Sequence, residues 1–232
     1  MTTVEGALEL VIYELSDQNY EQSLDFYRFW LDAGQTYVQI PSDQIFDAIW
    51  NHRVSGSIDR NYGRLIHPTA HLIPRFASDA ESDHILAPHC SELQSRLCAR
   101  SLREFFSNNL IVARYNDPAH DLYADANLIA HWANLGYVAE TAIRDHILQS
   151  LIAHPKLYNH QVDSLLILFK LAGATFEAYA DPSVVDRCFE ILKGHIFPQY
   201  GSNYVAPRKE LLKVSGSRST KSSPLAEEIF RR

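Results

Sequence analysis

Along most of the chain, apolar residues recur at spacings of three and four. Residues 159–179 break that rule by being apolar nearly all round. Leu165, Leu166, Ile167, Leu168 and Phe169 stand side by side, followed by Leu171, Ala172, Ala174, Phe176 and Tyr179. Such a run leaves a helix no wet face. It is too long for an ordinary strand and too short and polar-flanked to cross a bilayer. The pattern predicts a helix enclosed on most sides by other helices.

The N-terminal half gives weaker signals. Ala7, Leu8, Val11, Ile12 and Leu15 follow the i, i+3, i+4 spacing of an amphipathic helix over 4–15. Ser16 or Asp17 can cap the next helix, which carries Tyr20, Leu24, Tyr27, Trp30 and Leu31 on its apolar side and closes near Gly34. After a short extended link at 36–40, Ser42 can cap a helix with Ile45, Phe46, Ile49 and Trp50. Gly56, Gly63, Pro68 and Pro74 make 51–82 read as loop, with one or two short turns around 65–76. Pro88 can open a helix that holds Leu93, Leu97, Cys98, Leu102, Phe105 and Phe106, with Arg96, Arg100 and Arg103 on its polar side. Asn116, Asp117 and Pro118 end it.

From there the punctuation is clearer. Asp117-Pro118 is a cap followed by proline, and Leu122, Ala126, Ile129, Trp132 and Ala133 lead to Gly136. A second helix over 138–153 holds Ala142, Ile143, Ile147, Leu151 and Ile152, and Pro155 terminates it. Asn159 opens the central helix. Asp181-Pro182 repeats the cap, and Val184, Val185, Phe189, Ile191 and Leu192 lead to Gly194. Residues 117–155 and 159–198 are thus two units of about 40 residues with two helices each, which resemble the helix pairs of HEAT and armadillo arrays. The resemblance is one of period and helix content and covers the second half of the chain. It implies stacked units that bury their apolar faces on one another. The fold class expected is all-α. One helical domain spans 1–200, with 1–113 irregular and 117–198 forming two helix pairs, and a flexible tail follows over 201–232.

Composition narrows the partners. The formal charge of −7 opposes general nucleic-acid binding, which needs a basic stripe. From Pro207 on, seven Lys or Arg face three Glu, so the tail carries +4 and the remainder −11. A basic tail on an acidic body suggests docking on itself or on an acidic partner. Three cysteines, Cys90, Cys98 and Cys188, cannot all pair within one chain. They read as small core residues of a reduced cytoplasmic or nuclear setting. No long apolar segment suggests a membrane span.

Candidate chemistry is sparse. His67, His71, His84, His89 and Cys90 fall close together in sequence and are zinc- or iron-compatible ligands. Pro68 between the first two disfavours a regular helix carrying both, and HExxH and C-x-x-C spacings are absent. The expected assignment is therefore no metal, cofactor or catalytic residue. His131, His146, His154 and His160 fall on predicted helices, with Asp145 and Asp163 near enough in sequence to orient an imidazole. In the tail, Leu225, Ile229 and Phe230 group on one side of a short terminal segment that needs a surface to lie on. Ser223-Pro224 lies in a basic, hydroxyl-rich stretch open to a proline-directed kinase. The leading expectation is a protein-interaction scaffold or adaptor that binds a protein or peptide. An enzyme using the His-rich loop 52–90 is one alternative. A helical subunit of a homo-oligomer joined through its tail is the other.

Overall fold

The computed structural model describes residues 15–34, 43, 46–47, 49–50, 57–59, 64–66, 70–90, 92–115 and 122–200. The described chain is predominantly helical, as the apolar spacing predicts, and includes one small hairpin of two three-residue strands. The expected helix over 4–15, the link at 36–40 and the tail at 201–232 lie outside the described residues. The Cα framework divides into two compact units, Met1–Arg100 and Ser101–Arg232.

In the first unit, helix α1 (Tyr20–Gly34) buries Tyr20, Leu24 and Tyr27. At its entry Asn19 Oδ1 accepts hydrogen bonds from the N–H and the hydroxyl of Ser16 at 2.7 and 2.9 Å. The helix thus starts after Asn19 rather than after Ser16 or Asp17. Strands β1 (Ser57–Asp59) and β2 (Arg64–Ile66) pair antiparallel, with Ile58 opposite Leu65. Helix α2 (Leu72–Ser82) follows, and its Leu72, Ile73, Pro74, Phe76, Ala77 and Ala80 are buried.

Both the hairpin and α2 fall where the sequence predicted loop. The physical reason is positional. Pro74 sits in the first turn of α2, where its missing N–H has no intrahelical partner to lose. Gly56 and Gly63, which make this stretch read as loop, lie outside the described residues. The Tyr27 ring meets Phe76 edge-on at 5.0 Å and joins α1 to α2.

Helix α3 (Ala87–Cys90) is a single turn introduced by Asp83, whose Oδ1 accepts the N–H groups of Ile85 and Leu86 at 2.8 and 3.1 Å. The sequence predicted one helix starting at Pro88. Instead the chain breaks at Glu92, which adopts a left-handed φ of 67°, and restarts as α4 (Leu93–Tyr115). Arg96 of α4 lies over the Phe46 ring and bonds Asp43 at 2.6 Å, and Arg100 lies over Trp50. The arginines expected on the polar side of this helix thus cover two aromatic rings that stack nearly parallel on each other.

The second unit begins within α4. Helix α5 (Leu122–Asn134) buries ten of its thirteen residues, including Asp125 and Asn127. It ends at Gly136, whose φ of +77° lets Gly136 N–H and Tyr137 N–H reach back to the carbonyls of Ala133 and Trp132. Next come α6 (Glu140–Ala142), a π-helical turn (Ile143–Ile147) and α7 (Leu148–Ile152). Helix α8 (Asn159–Tyr179) buries Leu165, Ile167, Leu168, Phe169, Ala172 and Phe176, with Leu166 half-buried. The enclosed helix predicted for this stretch is present. It packs chiefly on α5, and also on α9 (Pro182–Tyr200) and α7.

One feature of α8 escaped the sequence. Ala172 leaves helical geometry at φ −131°, ψ 25°, and bends the rod. The bend coincides with Asn134 of α5, whose Nδ2 donates to the Leu171 carbonyl at 2.8 Å while its Oδ1 accepts from Thr175 at 3.0 Å. A side chain inserted beside the helical ladder is a common cause of such kinks.

Tyr27 carries an energetic signature of its own. Its ring is buried and its hydroxyl has no hydrogen-bond partner among the described residues. Replacing Tyr27 with Phe removes that orphaned group and keeps the packing. The variant is expected to be as stable as the parent or more stable by about 1 kcal/mol. A loss greater than 1 kcal/mol in urea unfolding would show that the hydroxyl has a partner.

Candidate functional site

The thiols and imidazoles singled out in the sequence do not assemble into one centre among the described residues. His67 lies outside them. His71 Nε2 shares a 2.8 Å hydrogen bond with Asp17 at the entry to α1. His84 is exposed in the turn after α2, and His89 falls within α3. Cys90 is buried, and burial together with the nearby Glu81 and Asp83 pushes its thiol up to about 12. A thiol so disposed is protonated near neutrality and is a poor nucleophile or metal ligand. Burial likewise raises Cys98 to about 11 and Cys188 to about 12. No group of three or more His, Cys, Asp or Glu stands in a metal-holding arrangement among the described residues. Asp145, a candidate to orient His146, accepts hydrogen bonds from Arg144 Nε and Nη2 at 3.0 Å.

Several buried polar groups of the second unit join helices. Asn108 donates to Asp125 at 2.6 Å, and Trp132 Nε1 donates to Ser101 at 3.1 Å, tying α4 to α5. Gln161, fully buried, donates to Asn109 and to the Leu151 carbonyl while accepting from Tyr158 N–H. Asn109 in turn donates to the Ser150 carbonyl at 2.8 Å. Each bond satisfies a group whose burial would otherwise be costly.

A different surface stands out on α1. Phe29 is 68% exposed and Phe26 38% exposed, one turn apart on the side opposite the buried Tyr20, Leu24 and Tyr27. A lattice of charge links α1 with α2 and with the turn that follows it. Arg28 bridges Asp25 at 2.6 Å and Asp83 at 2.7 Å. Arg75 of α2 bonds Glu21 at 2.8 Å, approaches Asp79 at 3.6 Å and covers the Tyr20 ring. The Tyr20 hydroxyl donates to Asp79 at 2.7 Å. Burial first, and then that carboxylate, push the Tyr20 phenol well up. Five carboxylates (Asp17, Glu21, Asp25, Asp79 and Asp83) thus meet two guanidiniums and one imidazole.

Asp83 is the anchor of this lattice, with its side chain 7% exposed. Burial acts to raise its carboxyl, but Arg28 and the two N–H groups at the start of α3 outweigh burial and hold it below its usual 3.8. A lowered carboxyl contributes stability that is complete above the unfolded value and disappears as pH falls through the folded one. Asp83→Asn is expected to cost about 1–2 kcal/mol at pH 7 and to flatten the loss of stability below about pH 4. Equal acid slopes for parent and variant in pH-dependent urea unfolding would contradict this.

The tail residues Ser223, Leu225, Ile229 and Phe230 lie outside the described residues. The sequence reading missed Phe26 and Phe29 because it assigned the apolar side of the helix through Tyr20, Leu24, Tyr27 and Trp30. The signal was present, since positions 22, 25, 26 and 29 fall on the other face. No helix among the described residues is long and apolar enough to cross a membrane. Comparison with protein-family models, curated proteins and solved structures finds no match.

Proposed function

We propose that this chain is a non-catalytic protein-interaction scaffold, built of stacked helix pairs of the HEAT/armadillo kind, that engages a protein or peptide through an exposed helical face. The observation that carries the reading is Phe29, a large aromatic side chain left 68% exposed on α1 beside Phe26. Paired aromatics on a charged helical surface are what partner helices and peptides use as anchors. The rest of the described interior supports the reading. Its cysteines are buried with raised thiols, and its buried amides tie helix to helix.

In the second unit, α5 with α6 and α7, and then α8 with α9, are the two consecutive helix pairs of the proposed array, and α8 packs on α5 and α9. The C-terminal segment with Leu225, Ile229 and Phe230 is a second docking element in this proposal, with Ser223 as its control point.

Affinity purification of the full chain, of Phe29→Ser and of a chain lacking residues 215–232 tests the reading. The expected result is a partner recovered in stoichiometric amount with the full chain and lost with at least one variant. Recovery of the same proteins at the same yield with all three chains would overturn it.

A further inference from the structure

The bend in α8 is held from outside the helix. Asn134, the last residue of α5, reaches both sides of it. Its Nδ2 donates to the Leu171 carbonyl at 2.8 Å, just before the non-helical Ala172, and its Oδ1 accepts from the Thr175 hydroxyl at 3.0 Å, just after it. One amide thus grips both segments and supplies a donor to a carbonyl at the interrupted turn of the ladder. Proline, the usual cause of a kink, is absent from 159–179. Gly173, next to Ala172, tolerates either a bent or a straight course.

The far side of α8 carries the consequence. At about 3.6 residues per turn, positions 169 and 176 share one face, and 171 and 175 lie round on the other. Seven residues of straight helix rise about 10.5 Å. The rings of Phe169 and Phe176 are nevertheless 6.3 Å apart, and Phe169 lies 4.6 Å from Phe189 of α9. A bend that opens toward Asn134 and closes on the aromatic face draws these rings together, and so shapes the seat on which α9 packs.

We infer that Asn134 is a latch that sets the shape of α8. Latched, α8 is bent and Phe176 joins Phe169 beside Phe189. Released, α8 runs straight through Ala172 and Phe176 moves away from Phe169. Asn134 and Thr175 are half-buried, so water competes for the bonds that close the latch. The latch couples two places in the second unit, the turn after α5, where Leu135 and Gly136 are exposed, and the aromatic seat of α9. A contact at that turn that pulls Asn134 away is transmitted to α9 as a change in the course of α8.

NMR spectra of the full chain, Asn134→Ala, Asn134→Asp and Thr175→Val test this. Asn134→Asp keeps the size and the acceptor for Thr175, but its carboxylate cannot donate to the Leu171 carbonyl. Thr175→Val keeps the shape and removes the other bond. In the parent chain the Cα and Cβ chemical shifts of Ala172 are expected to be non-helical. Asn134→Ala and Asn134→Asp should move them to helical values and shift the ring signals of Phe176 and Phe189 with them, and Thr175→Val should move both part of the way. An Ala172 that stays non-helical in every variant would overturn the latch, because packing alone would then hold the bend. A straightened Ala172 with the Phe189 ring signals unmoved would overturn the coupling to α9. If Asn134→Ala does not fold, the two shape-conserving variants decide in the same way.

Discussion

Phe169→Ala is expected to destabilise the protein by about 3–5 kcal/mol, a large share of the total stability of an ordinary domain. Phe169 is fully buried in α8. Its ring lies 4.6 Å from that of Phe189 on α9 and 6.3 Å from that of Phe176 two helical turns further on. Removing it leaves a cavity that two aromatic neighbours on stiff helices cannot close. Leu166, half-buried on the same helix, is the control, and Leu166→Ala should cost less than half as much. Urea unfolding at constant m-value reads both. A loss under 1 kcal/mol at Phe169 would mean that α8 is not enclosed.

Alkaline pH is expected to unfold the protein at values where most proteins remain folded. Three thiols and two phenols are buried with their ionisation pushed upward, chiefly by burial. In the unfolded chain a thiol releases its proton near 9.0 and a phenol near 10.0. In the folded chain the thiols hold theirs to about 11 or 12. A group with a raised folded value contributes stability that is complete below the unfolded value and is lost as pH climbs toward the folded one.

Stability should accordingly be flat to about pH 8 and then fall. Between about pH 9.5 and 11 the three thiols together contribute a slope of about 3 kcal/mol per pH unit, short of the limit of about 1.36 kcal/mol per group because the folded Cys98 begins to ionise near the top of that window. Tyr20 and Tyr27 steepen the decline above pH 10. Cys188→Ala should remove about a third of the thiol slope. Urea midpoints measured from pH 7 to 11 decide it, and midpoints constant to pH 11 would contradict the burial of these groups.

The parts of the fold legible in the sequence are those where one signal dominates. The apolar run 165–169 can only be enclosed, and Gly136 and Asp181-Pro182 mark helix boundaries that the described chain respects. The parts that were not legible are those where polar residues take structural roles. Helix α5 buries ten of its thirteen residues, a larger share than α8, yet its sequence holds Asp125, Asn127, His131 and Asn134. No periodicity reveals that Asn108 will meet Asp125, or that Asn134 will cross to the Leu171 carbonyl and Thr175. Those partners are 17 to 41 residues away.

In the sequence Pro74 reads as a breaker, but it occupies the first turn of α2, where proline is tolerated. Strands β1 and β2 are only three residues each, too short for an alternating pattern to stand out in the sequence. The candidate site inverts the usual expectation. The histidines and Cys90 drew notice by residue type, but Cys90 is buried as a neutral thiol and His71 is committed to Asp17. Phe26 and Phe29 drew none, because the apolar side of the helix is defined by Tyr20, Leu24 and Tyr27 and the other face is assumed to be polar. Their exposure became evident only when α1 and α2 were seen to pack through Tyr27 and Phe76.

The central claim is that the interior of this chain is spent on holding its helices together and that its activity lies on the exposed face of α1. Thermal melting and partner binding measured on Phe29→Ser, against the parent chain, test it most directly. The account predicts an unchanged melting temperature and binding reduced at least about tenfold. A lowered melting temperature with binding intact would place Phe29 in the core and the function elsewhere.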